Sequence, residues 1–260
     1  MAFKSPLEIA EATCAAGCKK TELPIDKMLV LGFLAGAYIA FGSLLAVMVT
    51  PDTVKFLGMG LKKLVFGGVF PIGLMFVVIG GAELFTGNCL VPTIACLTGR
   101  AKWGRLLKNW LFVYIGNFIG SLVVAFCLSH LTGFFTTGDW QTSINGIAEA
   151  KVAIPFWQAF WRGVGCNWLV CLAVWLATAS DDVTGKIWGI WFPIMGFVAI
   201  GFEHSIANMF FIPAGIFAGA NVTWGQLFLN NLIPATLGNV VGGALFVGGI
   251  YWYVYMRGES

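Results

Sequence analysis

The chain has 260 residues, of which 58% are hydrophobic and 10% charged, with a formal net charge of +3. A soluble domain is roughly 45–50% apolar and about 25% charged. This composition, with a mean hydropathy of +0.86, excludes a soluble domain with one anchor, carries no nucleic-acid signal and predicts an integral membrane protein. The length suits a single membrane domain, residues 1–260, with no separate soluble catalytic domain.

Residues 1–27 hold Lys4, Glu8, Glu11, Lys19, Lys20, Glu22 and Asp26, too polar for the apolar stretch of a signal peptide. Ser5-Pro6-Leu7-Glu8 places Ser at N-cap, Pro at N1 and Glu at N3, a capping box that starts a helix over residues 5–20. That helix is either an interfacial lead-in or a movable plug; its amphipathic pattern is weak. Cys14 and Cys18 share one face of it, but a CxxxC pair lacks the further two ligands of a structural zinc site. No metal site and no cofactor are expected.

Apolar stretches long enough to cross a bilayer follow at 28–49, 64–98, 109–131, 157–179, 188–218 and 229–256. The second and fifth are too long for one crossing, so each reads as a helix broken at membrane depth, tolerated only where the break faces a cavity or is buried in protein. Six crossings put both termini on one side. Ten Lys and Arg fall on that side (Lys4, Lys19, Lys20, Lys27, Arg100, Lys102, Arg105, Lys108, Lys186, Arg257) against five on the other (Lys55, Lys62, Lys63, Lys151, Arg162). The bias predicts cytoplasmic termini.

The two long stretches carry the polar interruptions. Gly81-Ala-Glu83-Leu-Phe-Thr86-Gly-Asn88 and Gly201-Phe-Glu203-His204-Ser-Ile-Ala-Asn208 share Gly, Glu and Asn at an offset of 120. Phe70-Pro71-Ile72 matches Phe192-Pro193-Ile194, Gly116-Asn117 matches Gly238-Asn239, and Asn109 matches Asn231, all at 122. The chain is therefore a duplication, residues 28–131 and 157–256. Three crossings, an odd number, separate equivalent positions, so the halves are inverted, with a substrate path at their interface.

His204 is the first functional candidate, because an ionisable residue inside a membrane is costly unless used. Thr86 sits on the partner turn. Glu83 is expected to cap the half-helix that follows it, and Glu203 either to cap or to orient His204. Asn88 and Asn208 are expected to satisfy backbone groups freed by the breaks. Phe70, Leu74, Leu84, Phe85 and Phe197 bracket these polar groups as an apolar constriction on each side. Lys151 is expected to draw anions toward one mouth. Two rivals, a polyol channel and a membrane-embedded redox or haem protein, are less favoured by the residues. A water or polyol channel of similar build wants two Asn-Pro-Ala turns, which do not occur, and a haem carrier wants paired axial ligands, where His204 and the distant His130 are the only histidines.

At these residues the chain resembles the formate/nitrite transporter family over essentially its whole length. The stretch 81–87 resembles the family's second-helix loop motif, Gly163-Val-Gly-Cys166-Asn167-Trp-Leu-Val-Cys171-Leu-Ala its fourth-helix motif, and 201–209 its fifth-helix loop. The resemblance implies an all-α, aquaporin-like bundle of six transmembrane helices, with two inverted three-helix repeats and broken second and fifth helices. It also implies a homopentamer with one path per subunit, and no enzyme. It implies that Thr86 and His204 contact the substrate, that Phe70, Leu74, Leu84, Phe85 and Phe197 line constrictions, and that Lys151, Asn167, Glu203 and Asn208 support the anion and the histidine. A plug-like N-terminal helix that closes the cytoplasmic mouth at low pH is implied as well. The expected activity is passive, pH-dependent transport of a small monovalent anion across the cytoplasmic membrane, most readily formate, with nitrite or hydrosulfide as alternatives and proton symport as one route.

Overall fold

The computed structural model describes residues 3–258. The described residues are helical, without strands, and six helices are long and apolar enough to cross a membrane. The first half consists of α1 (Pro6–Glu22), α2 (Ile25–Met48), α3 (Thr53–Val69), α4 (Ile72–Gly80), α5 (Phe85–Asn88), α6 (Val91–Leu97) and α7 (Trp103–Val123), the last running into a π-helical stretch Val124–His130. The second half consists of α8 (Gly138–Val152), α9 (Phe156–Ala179), α10 (Val183–Ile200), α11 (Ser205–Phe217) and α12 (Trp224–Gln226), then a helix threaded with π-helical turns that contains α13 (Ile233–Val240) and α14 (Ile250–Tyr255).

The crossings lie where the hydropathy put them but begin earlier. The second starts at Thr53 instead of residue 64, the third at Trp103 instead of 109, and the sixth at Trp224 instead of 229. Helical backbone continues into the interface because intrahelical hydrogen bonds hold as well in water as in lipid, while a hydropathy window sees only the apolar part. Lys62 and Lys63, which precede the apolar stretch 64–98, therefore stand on α3, after a kink at Gly58, where φ is 77°.

Both expected breaks are present. α4 ends at Gly81, φ 84°, and α10 at Gly201, φ 93°. Each glycine occupies the left-handed region that ends a helix at little steric cost. Three non-helical residues follow before α5 and α11 resume the crossing.

What positions these loops is close packing of backbones. A Cβ on Gly36 of α2 would overlap the carbonyl of Asn117 on α7, and a Cβ on Gly238 of α13 would overlap that of Phe160 on α9. Small residues let helices approach in lipid, where water offers no hydrophobic drive between them. The contact brings Asn117 and Asn239 beside the two breaks.

The N-terminal helix forms as its capping box predicts, with Ser5 and Glu8 reciprocally bonded. Taken from the sequence as a separate element, it has a counterpart. α1 lies on α6 and α8 lies on α11; each precedes the first crossing of its half and covers the short helix after the break. Its own thiols are occupied, Cys14 beside the Thr98 hydroxyl at 3.3 Å and Cys18 beside the Arg100 carbonyl at 3.9 Å. No cluster of potential metal ligands occurs among the described residues.

Candidate functional site

The two broken helices meet at the centre of the bundle, and each loop is held by the same set of bonds. Asn117 Oδ1 accepts from the Phe85 amide at 2.9 Å, while its Nδ2 donates to the carbonyls of Gly32 at 2.8 Å and Glu83 at 2.9 Å. Asn239 repeats this with Ser205 N at 2.9 Å, Gly163 O at 2.8 Å and Glu203 O at 2.9 Å. The backbone groups freed by the breaks are thus satisfied by Asn117 and Asn239, not by Asn88 and Asn208 as expected. Only their place in the repeat marks these two in the sequence.

The glutamates do not cap. Glu83 Oε1 pairs with Lys20 Nζ of α1 at 2.6 Å, and its Oε2 accepts from Asn88 at 2.7 Å. Glu203 Oε1 pairs with Lys151 Nζ of α8 at 2.9 Å, and its Oε2 accepts from Asn208 at 2.7 Å and Asn231 at 3.0 Å. A buried carboxylate is tolerated when paired and hydrogen-bonded, and an ion pair outcompetes a neutral amide for it. The expectations that Glu83 caps α5 and that Glu203 caps α11 or orients His204 are therefore corrected. Asn88 and Asn208 serve the carboxylates, backed by Asn109 and Asn231, which also donate to the carbonyls of Lys20 and Lys151 at 3.1 Å each. Lys20 is a partner the sequence reading missed, because α1 carries no repeat motif that marks it.

His204 itself is the N-cap of α11: its Nδ1 accepts from the Ala207 amide at 3.1 Å. An imidazole nitrogen that accepts carries no proton, so the network assigns the ring proton to Nε2. Nε2 stands 2.9 Å from Thr86 Oγ1; the ring donates, and the hydroxyl proton of Thr86 is left for another acceptor. In the repeat His204 corresponds to Leu84 and Thr86 to Ile206. The two polar side chains are thus not repeat equivalents but complementary intrusions that meet at one depth across the interface of the halves.

Around this pair the walls are apolar. Phe70 and Phe197 meet edge-on at 5.9 Å, and Phe197 lies 5.7 Å from the His204 ring. A pocket of about 10 Å³, too small for more than one water, is lined by Phe70, Leu74, Leu84, Phe197 and His204 with neighbouring aliphatic residues. A cavity of about 410 Å³ opens on the α1 side, lined in part by Lys20, Leu74, Glu83, Leu84 and Asn88. A cavity of about 220 Å³ opens on the α8 side, lined in part by Phe70, Lys151, Phe197, Glu203, His204 and Asn208. Four of the five expected constriction residues stand between the cavities. Phe85 does not; its ring packs against Tyr114 at 4.9 Å and Trp110 at 6.0 Å, because Asn117 holds its amide and turns the side chain toward α7. Asn167 is buried behind the neck, donating to the carbonyls of Thr86 at 3.1 Å and Asn239 at 2.6 Å, so it ties the two loops together.

Two vestibules joined by an apolar neck, at the seam of an inverted six-helix repeat, define a membrane transport protein. A family model described as formate/nitrite transporter matches residues 7–253, and the chain belongs to that family, whose members are channels and transporters and not enzymes. It is 54% identical to a probable formate transporter of Methanothermobacter thermautotrophicus, over 98% of each chain. Among solved structures it is similar to an FNT family ion channel (TM-score 0.87, 31% identity, 95% of this chain and 98% of that one). It is also similar to a pentameric formate channel with formate bound (TM-score 0.78, 34% identity, 90% and 98%).

Proposed function

We propose that the protein moves a small monovalent anion, formate foremost, passively and in either direction through one path per subunit. In this reading it is a homopentamer in the cytoplasmic membrane with both termini cytoplasmic, and residues 1–260 form one membrane domain of two inverted halves. The relative named a probable formate transporter and the solved pentamer named a formate channel support the substrate and the assembly. The ten-to-five distribution of Lys and Arg supports the orientation. The observation that carries the reading is the bond from Thr86 to His204, whose side chain lines the apolar neck.

An anion entering from either vestibule loses water at Phe70, Leu74, Leu84 and Phe197, a step that is costly unless donors replace the hydration. Thr86 supplies its free hydroxyl proton and His204 polarises that hydroxyl from behind. Stripped of water, the anion gains affinity for a proton; crossing as the neutral acid makes the event proton symport, and the low-dielectric neck favours that route over bare-anion passage. Lys151, Glu203, Asn208 and Asn167 hold the loop that presents His204. The test is flux of formate, nitrite and hydrosulfide into proteoliposomes at two pH values, for wild type, His204→Ala and Thr86→Val. Formate is expected to move fastest in wild type, and both variants to lose the pH dependence. Unchanged flux and pH dependence in His204→Ala refute the role given to His204.

A further inference from the structure

The sequence pointed to Lys151 as the cation that attracts anions, but Lys151 is spent on Glu203, with its side chain only 16% exposed. The same cancellation holds on the other side, where Lys20 is spent on Glu83. The charged residues that line the two cavities differ. The α1-side cavity is lined by Lys20 and Glu83 alone among charged residues and is neutral overall. The α8-side cavity is lined by Lys151 and Glu203 and, in addition, by Lys62 and Lys63 of α3. Neither of these two has a carboxylate within ion-pair distance among the described residues, whereas Lys55 on the same helix is taken by Asp139 at 2.9 Å. The repeat sharpens the contrast: at the offset of 122 that matches Phe70 to Phe192, Lys62 and Lys63 correspond to the uncharged Thr184 and Gly185.

We infer that Lys62 and Lys63 form an anion-capture site at the α8-side mouth, for small inorganic or carboxylate monoanions, and that the α1-side mouth has no counterpart. The inference rests on the reading that the permeant arrives as an anion. Two uncompensated cations over a cavity with the apolar walls of Phe66, Phe70 and Phe211 focus the field along its axis, and such steering raises encounter rates by about 10- to 1,000-fold when unscreened. They act on arrival and not on the dehydration step, because the neck lies below them, behind Phe70 and Phe197. Being passive, the site accelerates entry and exit through its own mouth equally and leaves the equilibrium distribution of the anion unchanged.

The test is initial formate flux in proteoliposomes for wild type and Lys62→Gln/Lys63→Gln, with ionic strength raised by a bulky impermeant salt from about 0.01 M, where the Debye length is about 30 Å, to about 1 M, where it is about 3 Å. Wild-type flux is expected to fall with salt. The double variant is expected to be slower by about ten-fold at low salt and to converge on wild type at high salt, a convergence that a misfolded variant does not give. Lys62→Glu/Lys63→Glu is expected to reverse the slope. Parallel salt curves for wild type and the double Gln variant overturn the capture site while leaving transport intact; absence of formate flux in wild type overturns the transport reading instead.

Discussion

The pair between Lys151 and Glu203 gives the most demanding prediction. Lys151→Met removes the charge and keeps the aliphatic stem that packs near Phe211, where Nζ lies 5.5 Å from the ring. Glu203 is then left with two amide donors, Asn208 at 2.7 Å and Asn231 at 3.0 Å, in a side chain 4% exposed. At 2.9 Å the Coulomb attraction at an effective dielectric of about 20 is of order 5 kcal/mol. Breaking one partner of a buried pair costs about 3–5 kcal/mol because the other charge stays buried. Most of that loss is the stranded carboxylate, so adding Glu203→Gln is expected to restore most of it: the amide oxygen still accepts from Asn208 and Asn231, and no charge remains. Thermal unfolding of the detergent-solubilised protein, followed by tryptophan fluorescence, measures both variants. A double variant as unstable as Lys151→Met alone refutes the claim that uncompensated charge, and not lost packing, sets the cost. The Lys20–Glu83 pair, with Lys20 24% exposed, is expected to give a smaller loss on Lys20→Met because water reaches the stranded carboxylate more readily.

Further predictions follow from the same geometry. Asn239→Ala removes the side-chain partner of the Ser205 amide and of the Gly163 and Glu203 carbonyls at once, at about 1–3 kcal/mol for each group left unsatisfied, and is expected to abolish transport through loss of the His204 loop; flux at the wild-type level rules that out. Gly36→Val places branched carbon against the Asn117 carbonyl and is expected to destabilise by about 1–3 kcal/mol or more, read as a lowered unfolding midpoint. Asp181 lies outside the crossings, and its bond to Lys4 holds its carboxyl below the ordinary 3.8. A carboxylate depressed in the folded state contributes stability above its unfolded value that is lost as pH falls through the folded one. The Lys4–Asp181 contact is therefore expected to persist at pH 5 and fail only below about 3.8, which hydrogen exchange of the Lys4 amide, bonded to the Ala179 carbonyl at 2.9 Å, would report.

The parts of the fold legible in the sequence were those written twice. The breaks after Gly80 and Ile200, the inverted halves and the meeting of His204 with the Thr86 turn all followed from apolar length and a repeat at 120–122 residues. What misled was local chemistry read without its partners. A Glu three residues past a helix break looks like a cap until a lysine from another helix arrives to claim it, and Lys20 and Lys151 come from α1 and α8, whose sequences share no motif. Phe85 misled for a similar reason: its position beside Thr86 suggested a wall of the neck, but the Asn117 bond that rotates it away is a contact across 32 residues.

The correspondence of α1 with α8 bears on truncation. If the leading helix were a detachable stopper, cutting it away would simply widen one entrance. Here it also delivers the counter-ion for an acidic group sunk in the protein, just as its twin does on the opposite face. A shortened chain would open that entrance and, in the same stroke, strand a bare negative charge beside it, so the aperture gained would repel the solutes it was meant to admit.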